Sequence, residues 1–252
     1  MLYRIIITQY IGDKQLIDKK FLYNDTIGCV EYVQHMGDDL TIVNAARVSF
    51  GVNKDEVNER DRKLIRYLVK NRHTSTLEHN VVTFKFTVPL FVRGQHHRHR
   101  TWSYNEISRR YTDMNIRFYE PTNFRTQHKS NRQASNEDDT INPQLKIYSP
   151  ACSEPIKYLA SDLIKKHHKD SLRLFDDLID SGVCREQARG VLPQNLYTEY
   201  YGTVNLNNLI KFISLRDDSH AQWEIQKVAQ ACKEIATELW PVAMQTYNDL
   251  KE

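Results

Sequence analysis

The stretch VVTFKFTV at 81–88 constrains the fold more than any other. Val82, Phe84, Phe86 and Val88 recur at every second position, with Thr83, Lys85 and Thr87 between them. That alternation is the period of a strand with one face buried. Pro89 ends the run, so the next residues start where a strand gives way to a turn or helix. Shortly after it, at 98–111, stands RHRTWSYNEISRRY, with four arginines in fourteen positions.

The remaining patterns alternate between the two periods. Residues 3–9 read as a short strand. DEVNERDRKLIRYLVKNR reads as a helix with Leu64, Ile65, Leu68 and Val69 on one face. From about 155 a helix is expected, carrying Ile156, Leu159 and Leu163, then Leu172, Phe175, Leu178 and Ile179. CREQARGVLP gives a short helical piece ending near Pro193. NLYTEYYGTVN, rich in Tyr, Thr and Val, reads as a strand, and NLNNLIKFISLRD as a helix. A last long helix is expected from near Ser219, with Ile225, Val228, Cys232, Ile235 and Leu239 at helical spacing, until Pro241 bends or ends it. Residues 122–155 are polar without sustained period and read as a surface insertion rather than a domain boundary. There is no internal repeat. The expected fold is α+β, one domain over 1–252, with a mixed or antiparallel sheet flanked by helices and a long C-terminal helix.

Four arginines in one segment suit nucleic acid, a metal-free anion site or a lattice of surface ion pairs. The whole chain carries 35 basic and 32 acidic residues, a net charge of only +3. Proteins that coat nucleic acid carry a larger excess, so the basic character is local and favours a small anionic ligand. His96, His97 and His99 crowd together with His79 upstream. Neighbouring histidines on a helix point apart, arginines repel a divalent cation, and no HExxH occurs, so no metal is expected. The four cysteines, Cys29, Cys152, Cys184 and Cys232, form no CxxC pair. The opening MLYRIIITQY is too short an apolar run for a signal peptide, and no run of about 18 apolar residues occurs later. A reducing cytoplasm and no membrane are the expectation.

Within the segment, arginine forks bind phosphate bidentately. Glu106 can accept from an imide or hydroxyl group, and Ser103, Asn105 and Ser108 add neutral donors and acceptors. Three further stretches carry similar side chains. RHTSTLEH holds His73, Ser75, Glu78 and His79; REQARGVLP offers Arg185 and Arg189; SLRDDSHAQWE holds Arg216 and His220. Ser75-x-x-Glu78 and Ser219-x-x-Gln222 also read as capping boxes.

RHR, then seven residues and Ser108, resembles the signature of flavin-dependent thymidylate synthases. AARVSF at 45–50, HTSTLEH at 73–79, ARGVLPQNLYTEYYGTVN at 188–205 and SLRDDSHAQWEIQ at 214–226 resemble further blocks of that family, in its order. The resemblance covers nearly the whole chain outside 122–155. It implies a homotetramer with active sites at subunit junctions and FAD as cofactor. It implies reductive methylation of dUMP to dTMP, with methylenetetrahydrofolate as carbon donor, NADPH as reductant and no cysteine nucleophile. On the nucleotide it puts Gln95, Arg98, Glu106, Ser108, Arg109 and Arg110, with Arg189 reaching in from another subunit. Arg216 matches the arginine that stabilises the pyrimidine ring once nitrogen 3 loses its proton. Around FAD it puts Ser75, Arg98, His99, Arg100, Glu106, Asn205 and His220; His73 falls where folate is placed.

Two positions depart from the pattern. Where the family often has an arginine two residues after Asn205, this chain has Asn207; four residues on, where asparagine is common, stands Lys211. On a helix these two share a face, so the expectation is that the cation has moved one turn and that Asn207 and Lys211 line the FAD site. A non-catalytic nucleotide-binding relative is the alternative, marked by loss of Arg216 or Ser108; both are present. A related one-carbon transfer such as hydroxymethylation stays open.

Overall fold

A computed structural model describes residues 10–11, 14–15, 19–132, 134–148 and 154–251. The strand expected at 3–9, and Cys152, lie outside the described residues. In chain order the structure begins with β1 (Tyr10–Ile11), β2 (Lys14–Gln15), β3 (Lys19–Phe21) and β4 (Cys29–Met36). Helices α1 (Asp39–Arg47) and α2 (Glu59–Lys70) come next, then β5 (Val81–Pro89), α3 (Leu90–His96) and β6 (Ser103–Glu106). After them stand β7 (Phe124–Gln127), β8 (Ser135–Ile141), β9 (Gln144–Ile147) and β10 (Ile156–Leu159). The chain closes with α4 (Ala160–Asp180), α5 (Arg185–Ala188), β11 (Tyr197–Asn205), α6 (Leu206–Arg216), α7 (Trp223–Leu239) and α8 (Pro241–Asp249).

The main sheet has five strands in the order β3-β4-β5-β11-β6, every pairing antiparallel. Val82, Phe84, Phe86 and Val88 are all fully buried, as their alternation requires. Strand β11 pairs with β5 along its whole length, from Tyr197 opposite Pro89 to Asn205 opposite Val81. Helices cover the buried face. On α7, Ile225, Val228, Cys232 and Ile235 are at most 1% exposed, the stripe that helical spacing predicts. Trp240 is fully buried, and its indole N–H donates to Asn80 Oδ1 at 2.9 Å. Pro241 opens a new helix rather than only closing the old one. It stands in the first turn of α8, where its missing N–H costs nothing, and the Asp39 carboxylate accepts from the Val242 and Ala243 amides. A second, separate apolar cluster, Phe175, Ala188, Leu192 and Leu196, joins α4 and α5 to the start of α3 at Leu90.

Three sequence expectations are corrected. Ile156–Leu159 is strand β10, paired with β9, and α4 starts only at Ala160. The 122–155 stretch carries the hairpin β7–β8 and the strand β9, which pairs with β10 just beyond it; β8, β9 and β10 are largely exposed on both sides. With no buried face there is no alternation to read. Helix α7 starts at Trp223, not Ser219, and Gln222 at its cap makes no capping bond. Ser75 and Glu78 form no capping box either. Thr74–Leu77 is a short 3-10 turn preceded by His73, again without a side-chain cap, and Glu78 closes it.

Gly202 on β11 lies beneath rings supplied by β5 and the arginine segment. A Cβ there would stand 2.8 Å from Phe86 Cε2 and 3.2 Å from Trp102 Cε3. Overpacking of this kind costs about 1–3 kcal/mol. Gly202→Ala is expected to lower the unfolding free energy by that amount, read as a lower urea midpoint with an unchanged m-value; an unchanged midpoint would show that the rings have room to move.

Candidate functional site

The arginine segment starts as a turn that leads into β6, with Trp102 buried and Tyr104 half-buried while Arg98 and Arg100 are exposed. His96 is fully buried, bonded through Nδ1 to Tyr200 Oη at 2.8 Å, and Trp102 packs on it edge to face at 4.5 Å. Tyr104 Oη donates to the carbonyls of His96 and His99, at 3.0 and 3.2 Å. These contacts fix the backbone of 96–104. Arg98 and Arg100 lie exposed on its outer side, without a side-chain partner among the described residues.

The candidate residues gather in three places. The first is a cleft of about 520 Å³ between β6, β11 and the α5 turn, lined by Glu106, Ser108, Arg109 and Arg189 together with Arg93 and Thr198. Glu106 Oε1 accepts from Thr198 Oγ1 at 2.7 Å and ion-pairs with Arg93 at 3.2 Å. Arg109 donates to the Met114 carbonyl at 2.7 Å, and burial pulls its guanidinium below the ordinary arginine value. Arg189 is exposed and, among the described residues, its side chain bonds only the Glu186 carbonyl, at 3.3 Å. Within one chain it lines the same cleft as Glu106 and Ser108. Ser108 Oγ accepts from the Arg110 amide at 3.3 Å, and the Arg110 guanidinium lies over the Tyr111 ring at 5.3 Å.

The second place joins the end of α3 to the end of α6. Arg216 Nε donates to His99 Nε2 at 3.1 Å. An arginine only donates, so this bond requires a neutral His99 with its proton on Nδ1. Burial, and then the Arg216 charge, push the His99 pKa down to about 4, which agrees with that tautomer. Gln95, one turn before His99, donates through Nε2 to Gln222 Oε1, and Gln222 Nε2 donates to Glu224 Oε2 at 2.8 Å. Arg93 of the cleft and Gln95 of this group stand two residues apart on α3, about 200° around its axis. The two groups therefore lie on opposite sides of that helix in one chain.

The third place is the 3-10 turn at 74–77 and the start of α6. Ser75 and His73 are exposed, His73 leaning on Tyr67 with ring centres 5.5 Å apart. Asn205 caps α6 by accepting from the Asn208 amide at 2.9 Å. Asn207 is 5% exposed and its amide donates to Glu78 Oε1 at 2.8 Å. Lys211 is exposed, its Nζ 3.5 Å from Asn208 Oδ1. Asn207 thus faces inward, and only Lys211 offers an open donor. His220 stands apart, exposed and bonded to Asp218 at 2.9 Å.

Sequence reasoning did not single out Glu224, Gln222, Arg125, Arg93 or Thr198 as site residues. Gln222 and Glu224 lie inside the recognised 214–226 block, so a signal existed for them. Arg125 sits in the polar stretch, where nothing marks it. Among the described residues no group of three or more His, Cys, Asp or Glu side chains could hold a metal, and no helix is long and apolar enough to cross a membrane.

The profile of the family described as "Thymidylate synthase complementing protein" matches residues 31–242. The flavin-dependent thymidylate synthase of Thermus thermophilus is 42% identical over 222 residues, 88% of this chain and 76% of that protein. The flavin-dependent thymidylate synthase of Thermosipho africanus is 38% identical over 233 residues, 92% of each. Among solved structures, the UMP/dUMP methylase PolB from Streptomyces cacaoi bound with 5-Br dUMP superposes with a TM-score of 0.70. It is 32% identical, covering 87% of this chain and 94% of that one.

The His99 pair has a consequence for stability. Unfolded, the ring takes a proton near its ordinary value of 6.5; folded, it does so only near 4. As pH falls from about 6.5 to about 4, the unfolded state binds a proton that the folded state refuses, so stability drops across that window and levels off below it. Burial pushes the pKa of His96 down in the same sense. The thermal midpoint is expected to fall steeply over this range, and less steeply in His99→Gln. Identical slopes would show that His99 is not held neutral.

Proposed function

The chain belongs to the flavin-dependent thymidylate synthase family, and from that premise we propose how its residues carry out the reductive methylation of dUMP to dTMP. It is an FAD-dependent methyltransferase of that family. The observation that carries the residue assignment is the cleft that joins Glu106, Ser108, Arg109 and Arg189. Two guanidinium groups there keep donors free for a phosphate dianion, which a fork binds in two parallel hydrogen bonds. Glu106 is held by Thr198, so its second oxygen is positioned to accept from the nucleoside. Arg98 and Arg110 extend the same cationic surface.

Arg216 supplies a fixed cation at the pyrimidine. Its Nε is occupied by His99, so both terminal nitrogens stay available for the ring oxygen that gains charge when nitrogen 3 loses its proton. A cation already in place lowers the cost of that charge without reorganising during the reaction. Because Arg216 and the cleft lie on opposite sides of α3, one chain does not complete the site. A homotetramer with sites at subunit junctions brings the cleft of one copy to the Arg216 side of another.

The unpaired cations Arg98, Arg100 and Lys211 fit the pyrophosphate of FAD, with the Ser75 hydroxyl, His99, Asn205 and His220 as further candidate contacts. Asn207 fits less well, since its amide already serves Glu78. Bound FAD supplies the redox chemistry, with NADPH as reductant. His73, exposed beside Tyr67, is placed to orient methylenetetrahydrofolate. Two of the chain's four thiols are poor candidates for a nucleophile's role. Cys29 and Cys232 are 1% and 0% exposed, and burial raises the pKa of both. A reducing cytoplasm, where free thiols persist, belongs to the same reading.

The purified protein is expected to carry a flavin absorbance band and to form dTMP from dUMP, methylenetetrahydrofolate and NADPH. Product mass distinguishes dTMP from the hydroxymethyl nucleotide. A charge-assisted hydrogen bond contributes about 1.5–3 kcal/mol, so Arg189→Ala should weaken dUMP about ten- to a hundredfold and leave FAD bound. Lys211→Ala should do the reverse. A colourless protein with no product, or an Arg189→Ala protein with unchanged dUMP affinity, would contradict this assignment.

A further inference from the structure

A side-chain amide reads a ring by the order of its acceptor and its donor, and an amide free to turn presents either order. In this chain the order at Gln95 is set from elsewhere. Glu224 is 4% exposed. Its Oε1 accepts from Arg125 Nη2 at 2.7 Å and from Tyr119 Oη at 3.3 Å, and its Oε2 from Gln222 Nε2 at 2.8 Å. A carboxylate paired with arginine has no proton to give, so Gln222 must turn its NH2 toward Glu224 and its carbonyl away. That carbonyl accepts from Gln95 Nε2. Turning Gln95 over would set two carbonyl oxygens against each other. Its Oε1 is therefore held on the other side, without a partner among the described residues.

We propose that Glu224 is a positioning residue that, acting through Gln222, locks the Gln95 amide so that the nucleotide site takes uracil and refuses cytosine. The proposal rests on the reading that dUMP occupies the site and that Gln95 faces it. Uracil presents a ring N–H beside a carbonyl, which matches the free carbonyl and remaining N–H of Gln95. Cytosine presents a bare ring nitrogen beside an amino group, the opposite order. An unlocked glutamine pairs with both rings; a locked one meets cytosine acceptor to acceptor and donor to donor. The selection acts in binding, before the ring loses its proton to the reaction. The polar 122–155 stretch supplies the lock's far end. Arg125 on β7 lies over the Trp223 ring at 4.8 Å while it pairs with Glu224, so the carboxylate cannot turn away from Gln222.

The test uses the flavin-loaded holoenzyme and measures dissociation constants for dUMP and dCMP by calorimetry. Gln222→Met keeps the length of the side chain, leaves the Arg125–Glu224 pair intact and removes the relay. Glu224→Gln keeps the shape but lets the amide chain run in either direction. Both variants are expected to lose about tenfold in the ratio of dUMP to dCMP affinity, while the flavin band and thermal midpoint of Gln222→Met match the wild type. A purely structural role for Gln222 would weaken both nucleotides equally and leave the ratio unchanged. An unchanged ratio in a folded, flavin-loaded Gln222→Met protein overturns the proposal. Wild-type holoenzyme that binds neither nucleotide overturns the functional reading with it.

Discussion

The pairing of β5 with β11 is the constraint on which the other parts depend. Nine residues of each strand run antiparallel without a break in register. One end of the ladder delivers Pro89 and α3, and so the arginine segment. At the other end β11 delivers Asn205, where α6 begins and runs to Arg216. Because β6 pairs on the open side of β11, Glu106 stands opposite Tyr200 and beside Thr198. A one-residue slip would turn every side chain of β11 to the wrong face. Thr198 would then leave Glu106, and Tyr200 would leave His96.

Charge is handled in two ways in the same molecule. Inside, carboxylates are matched by fixed partners. Asp61 is fully buried; burial alone would raise its pKa, but bonds from Lys54, the Asn58 amide and Arg47 pull it down to about 2. The Glu224 carboxylate likewise accepts hydrogen bonds from Arg125, Tyr119 and Gln222. On the outer side of the arginine segment the cations have no such partners. A protein with 35 basic and 32 acidic residues can sustain this contrast, because neutralised pairs elsewhere leave the net charge small while a few donors stay open to phosphate.

The strand at 81–88 was legible because one face is dry and the other wet. The same held for the stripes of α2 and α7 and for the short helix before Pro193. What the sequence hid has a common cause. β6 carries Ser, Tyr, Asn and Glu, whose alternation serves polar contacts and an aromatic cage rather than an apolar face. Strands β8, β9 and β10 bury neither side. The start of α7 was placed too early because Ser219-x-x-Gln222 has the spacing of a cap, whereas Gln222 instead joins Gln95 to Glu224. The candidate site was named mostly through the resemblance. Its division between two sides of α3 was not legible, since nothing in the residue types at 93 and 95 says which way each faces.

That division is the central claim, and mixing two inactive variants tests it most directly. Arg189→Ala removes a cleft cation, and Arg216→Ala removes the cation on the other side. Each variant should turn over very slowly on its own. If a site takes Arg189 from one copy and Arg216 from another, equal mixing with subunit exchange restores both to about a quarter of the sites. The account predicts thymidylate formation recovering to about that fraction of wild type after unfolding and refolding the mixture together. Continued inactivity of a mixture shown to contain hybrid oligomers would contradict it, because both arginines would then have to come from one chain.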